Sequence, residues 1–572
     1  ICELVEPIVA KISSLLKPIE FGREIVEEST NNSLDVGTSL FELYLNLQRF
    51  YMLGVGMFPT GIESLSISKF YTWFDHAVVQ WLDIAVFKAF QRIDKAVDLD
   101  ELVPVHSCVK YSSSAVDTLS IFYQVKTFWK QLAWPEAAGS YTFVAKILEE
   151  ICRSCVNHYA NKMSKKVEHL GFTESAYGEK YEVTNEWCLA INNIDYVGQS
   201  IQPFGDDLDL EDIIKNVAEY IDLSAADKCK QSLDGIMKSA LENVHNKIID
   251  LLQSAARQMS PSIKRFLLEG AELLHQDNNH VDRLMQYLDE NLMTLHSQLS
   301  TDNFDRFLSI ILEEVSIILK FVVEDNLDRR RPSSFFSNLN GTLKILTGFF
   351  KDGVNVDSNE NFTRVKQLLT LHGTETEELI HQYHLERLEE QKALNNCPFG
   401  KLVVRVRFID ETLKINVIIA EKLQPHDTNG LCDPYVKIHL LPEEKFVHLS
   451  KPRTKTVKRS LNPLFDETFT LSLTKEQKNY DRGLIQFLVK DQDFLGMSSQ
   501  FVGEAFIQFK DIPKAEGDEQ LENLRTFHLN LSKPDKQNTE VYKALDHRQG
   551  EKLARDFIKR QKAKMQPMVP NS

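Results

Sequence analysis

No run of 18 apolar residues occurs in this 572-residue chain. The best candidate, Phe307–Val323, is broken by Glu313 and Glu314 and follows a helical period, so a membrane-spanning helix is not expected. Cysteine is scarce as well. Cys2, Cys108, Cys152, Cys155, Cys188, Cys229, Cys397 and Cys432 are too thinly spread for a disulfide framework and fit a reduced cytosol. Cys152 and Cys155 form a lone CxxC within FVAKILEEICRSCVNHY. A structural zinc centre needs four ligands, and with no second pair these read as ordinary helix cysteines. Walker, GxSxG and HExxH motifs are missing. Gly54-Val55-Gly56 runs into Met57-Phe58-Pro59, which does not open a helix as a dinucleotide site would. Positive charge is in deficit, with Lys+Arg at 66, Asp+Glu at 82 and a net of −16. That balance excludes a general nucleic-acid binder, which needs a basic footprint.

What is present is an ordinary folded composition: 43% hydrophobic, 10% aromatic and 26% charged. Disordered and collagen-like classes fail on these figures. At roughly 100–200 residues per domain, the length accommodates about three to five domains. The charge is unevenly placed. Residues 401–572 hold 29 Lys+Arg and 24 Asp+Glu, a net of +5, whereas 1–400 hold 37 and 58, a net of −21. Two modules with different partners are expected. The chain starts at Ile1, which predicts that it begins inside a longer protein.

Residues 1 to about 395 read as successive helices. In SLFELYLNLQRFYML, Leu40, Leu43, Tyr44, Leu47, Phe50 and Tyr51 recur at the 3.6 period. NFDRFLSIILEEVSIILKFVV repeats the pattern through Phe304, Phe307, Leu308, Ile311, Val315, Ile318, Leu319 and Val322. Further helices are predicted over about 67–97, 113–134, 141–170, 211–257, 262–297, 334–350 and 361–394, with almost no strand-like alternation. The loops between them are short, as between antiparallel neighbours in bundles, and the length exceeds one helical core. The prediction is an elongated all-α stack of bundles over 1–395. In CLAINNIDYV (188–197), Asn192 and Asn193 interrupt a helix, or end one.

The texture changes at Cys397-Pro398-Phe399-Gly400. Strands are predicted at 401–409, 413–423, 434–442, 453–460, 465–473, 483–491 and 503–509, with an eighth near 524–531. This spacing indicates an antiparallel β-sandwich. A basic helical tail is predicted within 540–572, in KALDHRQGEKLARDFIKRQKAKM (543–565). Leu553 and Phe557 are expected to dock on their own domain, leaving Lys552, Arg555, Lys559, Arg560, Lys562 and Lys564 free.

The sandwich carries paired aspartates where loops should lie, Asp427 and Asp433 in one, Asp491 and Asp493 in another. Four carboxylates at one end of a sandwich repel unless a hard cation sits among them, and calcium takes six to eight oxygens. The alternative is four unrelated loop aspartates. LQPHDTNGLCDPYVKIHLLP, TKTVKRSLNPLFDETFTLSL and FLVKDQDFLGMSSQFVGEAF together resemble a C2 domain over about 398–532. The resemblance implies that Asp427, Asp433, Asp491 and Asp493 ligate calcium, two ions being expected, with the backbone carbonyls of His426 and Gln492 completing the shell. The pattern departs at the fifth acidic position, where Ser498, Ser499 or Gln500 stands in place of Asp; Ser499 is the substitute candidate, and weaker affinity follows.

Phe494, Leu495 and Met497 share a loop with two of these aspartates, and Leu431 lies on the other. Apolar loop tips suit insertion into a lipid interface, or fold back on their own loop. Lys451, just before the fourth predicted strand, and Arg453, Lys455, Lys458 and Arg459 along it form a basic patch. Alternation would place Arg453, Lys455 and Arg459 on one face, attracting anionic headgroups or protecting a sheet edge.

WFDHAVVQWLDIAVFKAFQRIDKAVDLD and YSSSAVDTLSIFYQVKTFWKQLAWPEAAGSYTFVAKILEEICRSCVNHYANKM resemble the first homology region of the MUN-domain vesicle-priming family, over about 45–165. LMTLHSQLSTDNFDRFLSIILEEVSIILKFVVEDNLDRRRPSSFFSNLNGTLKILTGFFKDG resembles the second, over about 275–382. An acidic C2 directly after the helices is most similar to the non-neuronal, dense-core-vesicle branch. The resemblance implies a tethering-complex-like rod that helps SNARE proteins assemble, binding a syntaxin-type SNARE and its chaperone. It further implies binding to anionic phospholipid and a vesicle Rab, and a cytoplasmic, peripheral location on plasma membrane, secretory vesicles or late endosomes. No enzymatic activity is expected. A small-GTPase activator or lipid-modifying enzyme is the alternative, and the former would need an arginine finger, for which Arg329–Arg331 is the conspicuous cluster.

Overall fold

The structure is a computed structural model and describes residues 34–57, 66–175, 178–272, 279–351, 353, 355–425, 430–492, 499–515, 525–534 and 539–565. The chain divides into two compact units: Ile1–Phe266 with Asn278–Ile318 and Phe350–Val356, and Leu267–Asp277 with Leu319–Phe349 and Asp357–Ser572.

The first unit is almost wholly helical. It contains α1 (Leu34–Met57), a 3-10 stretch (Ser66–Phe74), α2 (Asp75–Leu99), α3 (Ser113–Leu132) and α4 (Ala137–Ile147). Helix α4 passes through a π-helical stretch (Leu148–Cys155) into α5 (Val156–Val167). The apolar period decides which faces are buried. In α2 they are Ala77, Val78, Leu82, Ala89, Ile93 and Val97, and in α5 Val156, Tyr159, Ala160, Met163 and Val167. Cys152 and Cys155 fall in the π stretch and are buried; burial raises both thiols, Cys155 to about 12.

Helix α6 (Asn185–Gln199) is capped by the Thr184 hydroxyl, which accepts from the Trp187 N–H. Asn192 and Asn193 lie in its middle, not at its end. Asn193 is fully buried; its Oδ1 accepts from the Ser112 N–H at 2.8 Å and its Nδ2 donates to Ser112 Oγ at 2.6 Å. Asn192 donates to the Gln298 carbonyl at 2.8 Å. The polar interruption therefore satisfies the buried Ser112 backbone N–H before α3 and the carbonyl at the end of the helix Asn279–Gln298. Helices α7 (Ile201–Asp207) and α8 (Leu210–Tyr220) follow. A small antiparallel hairpin, β1 (Phe172–Ser175) with β2 (Gly178–Tyr181), is an element the helical reading did not anticipate.

Helices α9 (Leu223–Glu272) and α11 (Thr301–Asp328) have residues in both units, and α10 (Asn279–Gln298) lies between them in sequence. The predicted helices end at 257 and restart at 262, yet α9 is continuous there and carries Pro261 in its interior. An interior proline costs about 3 kcal/mol. Here Met259, Ser262 and Ile263 are all buried, so packing offsets that cost. In the second unit, Arg329 pairs with Asp325 at 3.1 Å and Arg331 with Glu272 at 2.7 Å, so the arginine run closes a helix end.

The second unit contains α12 (Ser333–Phe350) except for its last residue, α13 (Glu360–Gly373) and α14 (Thr376–Ala393), then the strands. One sheet runs β10 (Thr526–Asn530), β3 (Lys401–Ile409), β4 (Thr412–Glu421), β6 (Leu464–Ser472), with the two-residue β9 (Lys514–Ala515) parallel to β3. The other runs β5 (Pro434–Leu441), β7 (Leu484–Gln492), β8 (Ser499–Gln508). Their inner faces alternate as a sandwich requires. Leu402, Val404, Val406 and Phe408 of β3 share a core with Val436, Ile438 and Leu440 of β5 and with Ile485, Phe487 and Val489 of β7.

The predicted strand 453–460 is not a regular strand. It runs beside β5, bonded at intervals through Pro452 to Ile438, Thr454 to Val436, Val457 to Pro434 and Ser460 to Cys432. The Lys455 N–H turns instead to the Glu467 carboxylate, and Arg459 takes a left-handed turn at φ 54°. These two departures break the ladder, and β9 supplies the eighth strand. A single helical turn, α15 (Lys475–Lys478), joins β6 to β7. The chain closes with α16 (Glu540–His547) and α17 (Lys552–Met565).

His372 in α13 and His384 in α14 are buried, and burial holds their imidazoles down, to about 4 and about 3. Both stay neutral in the fold while the unfolded chain takes up protons below its ordinary value of about 6.5. Stability is therefore full above about pH 6.5 and falls by about 1.4 kcal/mol per pH unit for each histidine as pH drops towards 4. Urea midpoints measured from pH 7.5 to 4.5 check this, and His384→Gln should flatten the slope.

Candidate metal centre and membrane-facing surface

Strand register brings the first acidic pair together. Pro434 opens β5 directly opposite Asp491 near the end of β7. Asp433 therefore sits beside Asp491, and its N–H donates to Asp491 Oδ1 at 2.6 Å. The Asp433 carbonyl accepts from the Gln492 N–H at 3.0 Å, and Asp433 Oδ1 accepts from the Arg459 N–H at 2.7 Å. Asp491 is 3% exposed and Asp433 half-buried. Backbone donors on both carboxylates hold the side chains at one strand end. Ser499 opens β8 opposite Gln492, whose side-chain Oε1 accepts from the Thr456 hydroxyl at 2.5 Å. Leu431 is half-buried, and Cys432 beside it is buried.

His426, Asp427, Asp493, Phe494, Leu495 and Met497 lie outside the described residues. Among the described residues no three His, Cys, Asp or Glu side chains converge as a metal site, and Asp433 with Asp491 is the pair that meets here. Among the described residues, the side-chain donors that meet at this strand end are the carboxylate oxygens of Asp433 and Asp491, a donor type that suits a hard cation such as calcium.

The five cations of the basic segment are all exposed. Arg453 lays its guanidinium over the Tyr435 ring, 4.7 Å from the centroid. Lys451 pairs with Glu443 at 3.0 Å. Lys458 and Arg459 lie on the turn that brings the Arg459 N–H to Asp433. Two further cations join this surface. Tyr435 of β5 faces Lys490 of β7, and Lys437 lies two residues along β5 on the same face. Burial first, then the charges of Lys437 and Lys564, holds the Lys490 ammonium below the usual lysine range. Period-two alternation was the available signal, since Lys437 and Lys490 flank the core residues Val436, Ile438 and Val489 on the opposite face.

The tail departs from its expected freedom. Phe557 docks as predicted, 3% exposed, and Leu553 is half-buried. However, Arg560 pairs with Glu443 at 3.1 Å, Lys562 with Asp546 at 2.9 Å and Lys564 with Glu504 at 2.7 Å. Glu443 and Glu504 lie far away in sequence, so local charge pattern could not reveal the pairing of Arg560 and Lys564; Asp546 lies within the tail itself.

The family model for the MUN domain matches residues 27–392, and that for the C2 domain matches 411–524. Protein unc-13 homolog 4B of Drosophila melanogaster is 40% identical over 564 residues, covering 98% of this chain and 48% of that protein. Protein unc-13 homolog D of Rattus norvegicus is 26% identical, covering 93% of this chain and 49% of the relative. BAI1-associated protein 3 of Mus musculus is 29% identical, covering 84% and 41%. The chain thus spans about half the length of the curated relatives it matches. With a matched helical region of this extent followed by a matched sandwich, the chain belongs to the MUN-domain family and carries a C2 domain behind its helices.

Proposed function

We propose that this chain is a calcium-regulated tethering and priming factor in exocytosis. Its helical region promotes SNARE assembly by engaging a syntaxin-type SNARE and its chaperone, and its C2 domain binds anionic phospholipid. The observation that carries the reading is the adjacency of a MUN-family helical region to a C2 sandwich whose Asp433 and Asp491 meet at one strand end. Calcium would cancel carboxylate charge that otherwise repels anionic lipid. Asp427, Asp433, Asp491 and Asp493, the carbonyls of His426 and Gln492, and Ser499 form the proposed shell for two ions. Leu431, Phe494, Leu495 and Met497 are the proposed inserting residues. A vesicle Rab is a further proposed partner. The proposed location is peripheral, on the cytoplasmic face of plasma membrane, secretory vesicles or late endosomes.

Content mixing between liposomes carrying syntaxin-type SNAREs and vesicles carrying their partners tests this. Acceleration that requires calcium and anionic lipid is expected. Clustering without faster content mixing would overturn the priming part and leave a tether. The basic surface has its own test. Lys455→Glu with Lys458→Glu should weaken binding to anionic vesicles by at least about thirtyfold at low salt, since each of the two cations lost contributes about 1 kcal/mol near the surface. The deficit should shrink as salt screens the charges. Unchanged binding at low salt would remove these two lysines from the membrane surface.

A further inference from the structure

The last helix of the chain does more than cover its own apolar stripe. Ala554, Phe557 and Ile558 of α17 and Val541, Tyr542 and Leu545 of α16 share a buried cluster with Leu379 and Tyr383 of α14. The Phe557 ring stands edge-on to Tyr383 at 5.2 Å and to His384 at 5.6 Å. The other side of α14 lies on the sandwich, where Leu388 packs with Leu441, Leu484 and Phe506. Gln391 meets β8 as a neighbouring strand would. Its Oε1 accepts from the Phe506 N–H at 2.6 Å and its Nε2 donates to the Phe506 carbonyl at 3.1 Å.

Charges then join all three parts. Glu504 on β8 is 1% exposed and faces Arg387 of α14 at 3.5 Å, Lys564 of α17 at 2.7 Å and the Gln486 amide of β7 at 2.9 Å. Arg387 also donates to Ser532 Oγ at 2.8 Å. Arg560 of α17 reaches Glu443, just beyond β5, and the Lys564 ammonium lies 5.6 Å from the Phe501 ring centroid on β8. The gap left between α14, α17 and the sheet, lined in part by His439, Gln486 and Gln561, encloses about 100 Å³, room for a few water molecules.

We propose that α17 is an intramolecular clasp: it fastens the outer face of the β5-β7-β8 sheet to α14, so that the C2 sandwich and the helix before it move as one body. The outer face is thereby divided. The half near Leu441, Leu484 and Phe506 is committed to the chain's own helices, and Tyr435, Lys437, Arg453 and Lys490 remain towards the aspartate end. Arg387 of α14 and Arg560 and Lys564 of α17 reach the sandwich from helices, as a rigid fastening requires, and Arg482 on the turn before β7 pairs back to Glu378 of α14.

Amide hydrogen exchange and trypsin cleavage after Lys392 test the clasp. In a chain ending at Gly550, cleavage there should accelerate at least tenfold and α14 and β8 should exchange faster, while β3 and β4 keep their protection. Adding residues 551–565 as a peptide should restore the slow rates. Arg560→Ala with Lys564→Ala in the full chain keeps the apolar stripe but leaves the buried Glu504 without its lysine, and should give an acceleration of at least about tenfold. Unchanged cleavage and exchange in both variants would overturn the proposal. Loss of protection in β3 and β4 as well would also overturn it, because α17 would then be part of the sandwich's own core.

Discussion

Asp433→Asn combined with Asp491→Asn abolishes calcium-dependent binding to anionic liposomes, with apparent affinity in calcium falling at least tenfold, or about 1.4 kcal/mol. Asparagine retains the carbonyl oxygen that accepts from the Arg459 N–H on one residue and from the Asp433 N–H on the other. The substitution therefore removes charge while preserving the local hydrogen bonds. Without calcium, relief of repulsion between the neighbouring carboxylates should leave the thermal midpoint unchanged or higher. With calcium, the wild-type midpoint should rise by linkage and that of the variant should not. Liposome co-sedimentation and thermal melts, each with calcium and with chelator, read both effects. A variant that still sediments only in calcium would show that this strand end does not hold the ion.

Glu504→Gln has the largest expected effect on stability, a loss of about 3–5 kcal/mol. Glutamine fills the same space and keeps a bond to Gln486 within reach, but it strips the half-buried Lys564 of its carboxylate partner and leaves the buried Arg387 with Glu390 alone as counter-charge. Although burial works to raise it, the Glu504 carboxyl is held below the usual range by Lys564 and Arg387. Its contribution is thus present above the unfolded value near 4.3 and lost as pH falls through the lower folded value. A fall in the midpoint on the order of 10 °C is expected for a unit of this size. Arg387→Met, Glu504→Leu and Lys564→Met together replace the charges with apolar volume and should recover most of the loss. If the single and triple variants melt alike, burial of unpaired charge is not the cause.

Much of this architecture could be read from residue period alone. Helical stripes in α2 and α5 and strand alternation in β3, β5 and β7 follow directly from which positions are apolar. The features that escaped depend on contacts remote in sequence. Pro261 passes through α9 because neighbouring positions are buried, and Asn193 is held mid-helix by a loop 81 residues away. Segment 453–460 alternates like a strand, but Glu467 and Asp433 draw its N–H groups out of the ladder. At the candidate centre, motif spacing named the aspartates and register placed two of them together. Lys437 and Lys490 were readable from alternation, whereas the pairing of Arg560 and Lys564 was not, their partners lying 117 and 60 residues away.

The way β8 is finished has a practical consequence. As the outer strand of its sheet, it has Glu504 bonded to Ser532 and Phe506 bonded to Gln391, alternate positions whose N–H groups point away from β7. A sandwich excised at residue 398 keeps Ser532 but loses Gln391, along with the Leu388 side chain that covers Leu441, Leu484 and Phe506. It would present an open strand flanked by apolar side chains, the usual template for chain-to-chain addition. Such a piece is expected to self-associate and precipitate when concentrated, while one beginning at Thr376 and ending at Met565 stays monomeric.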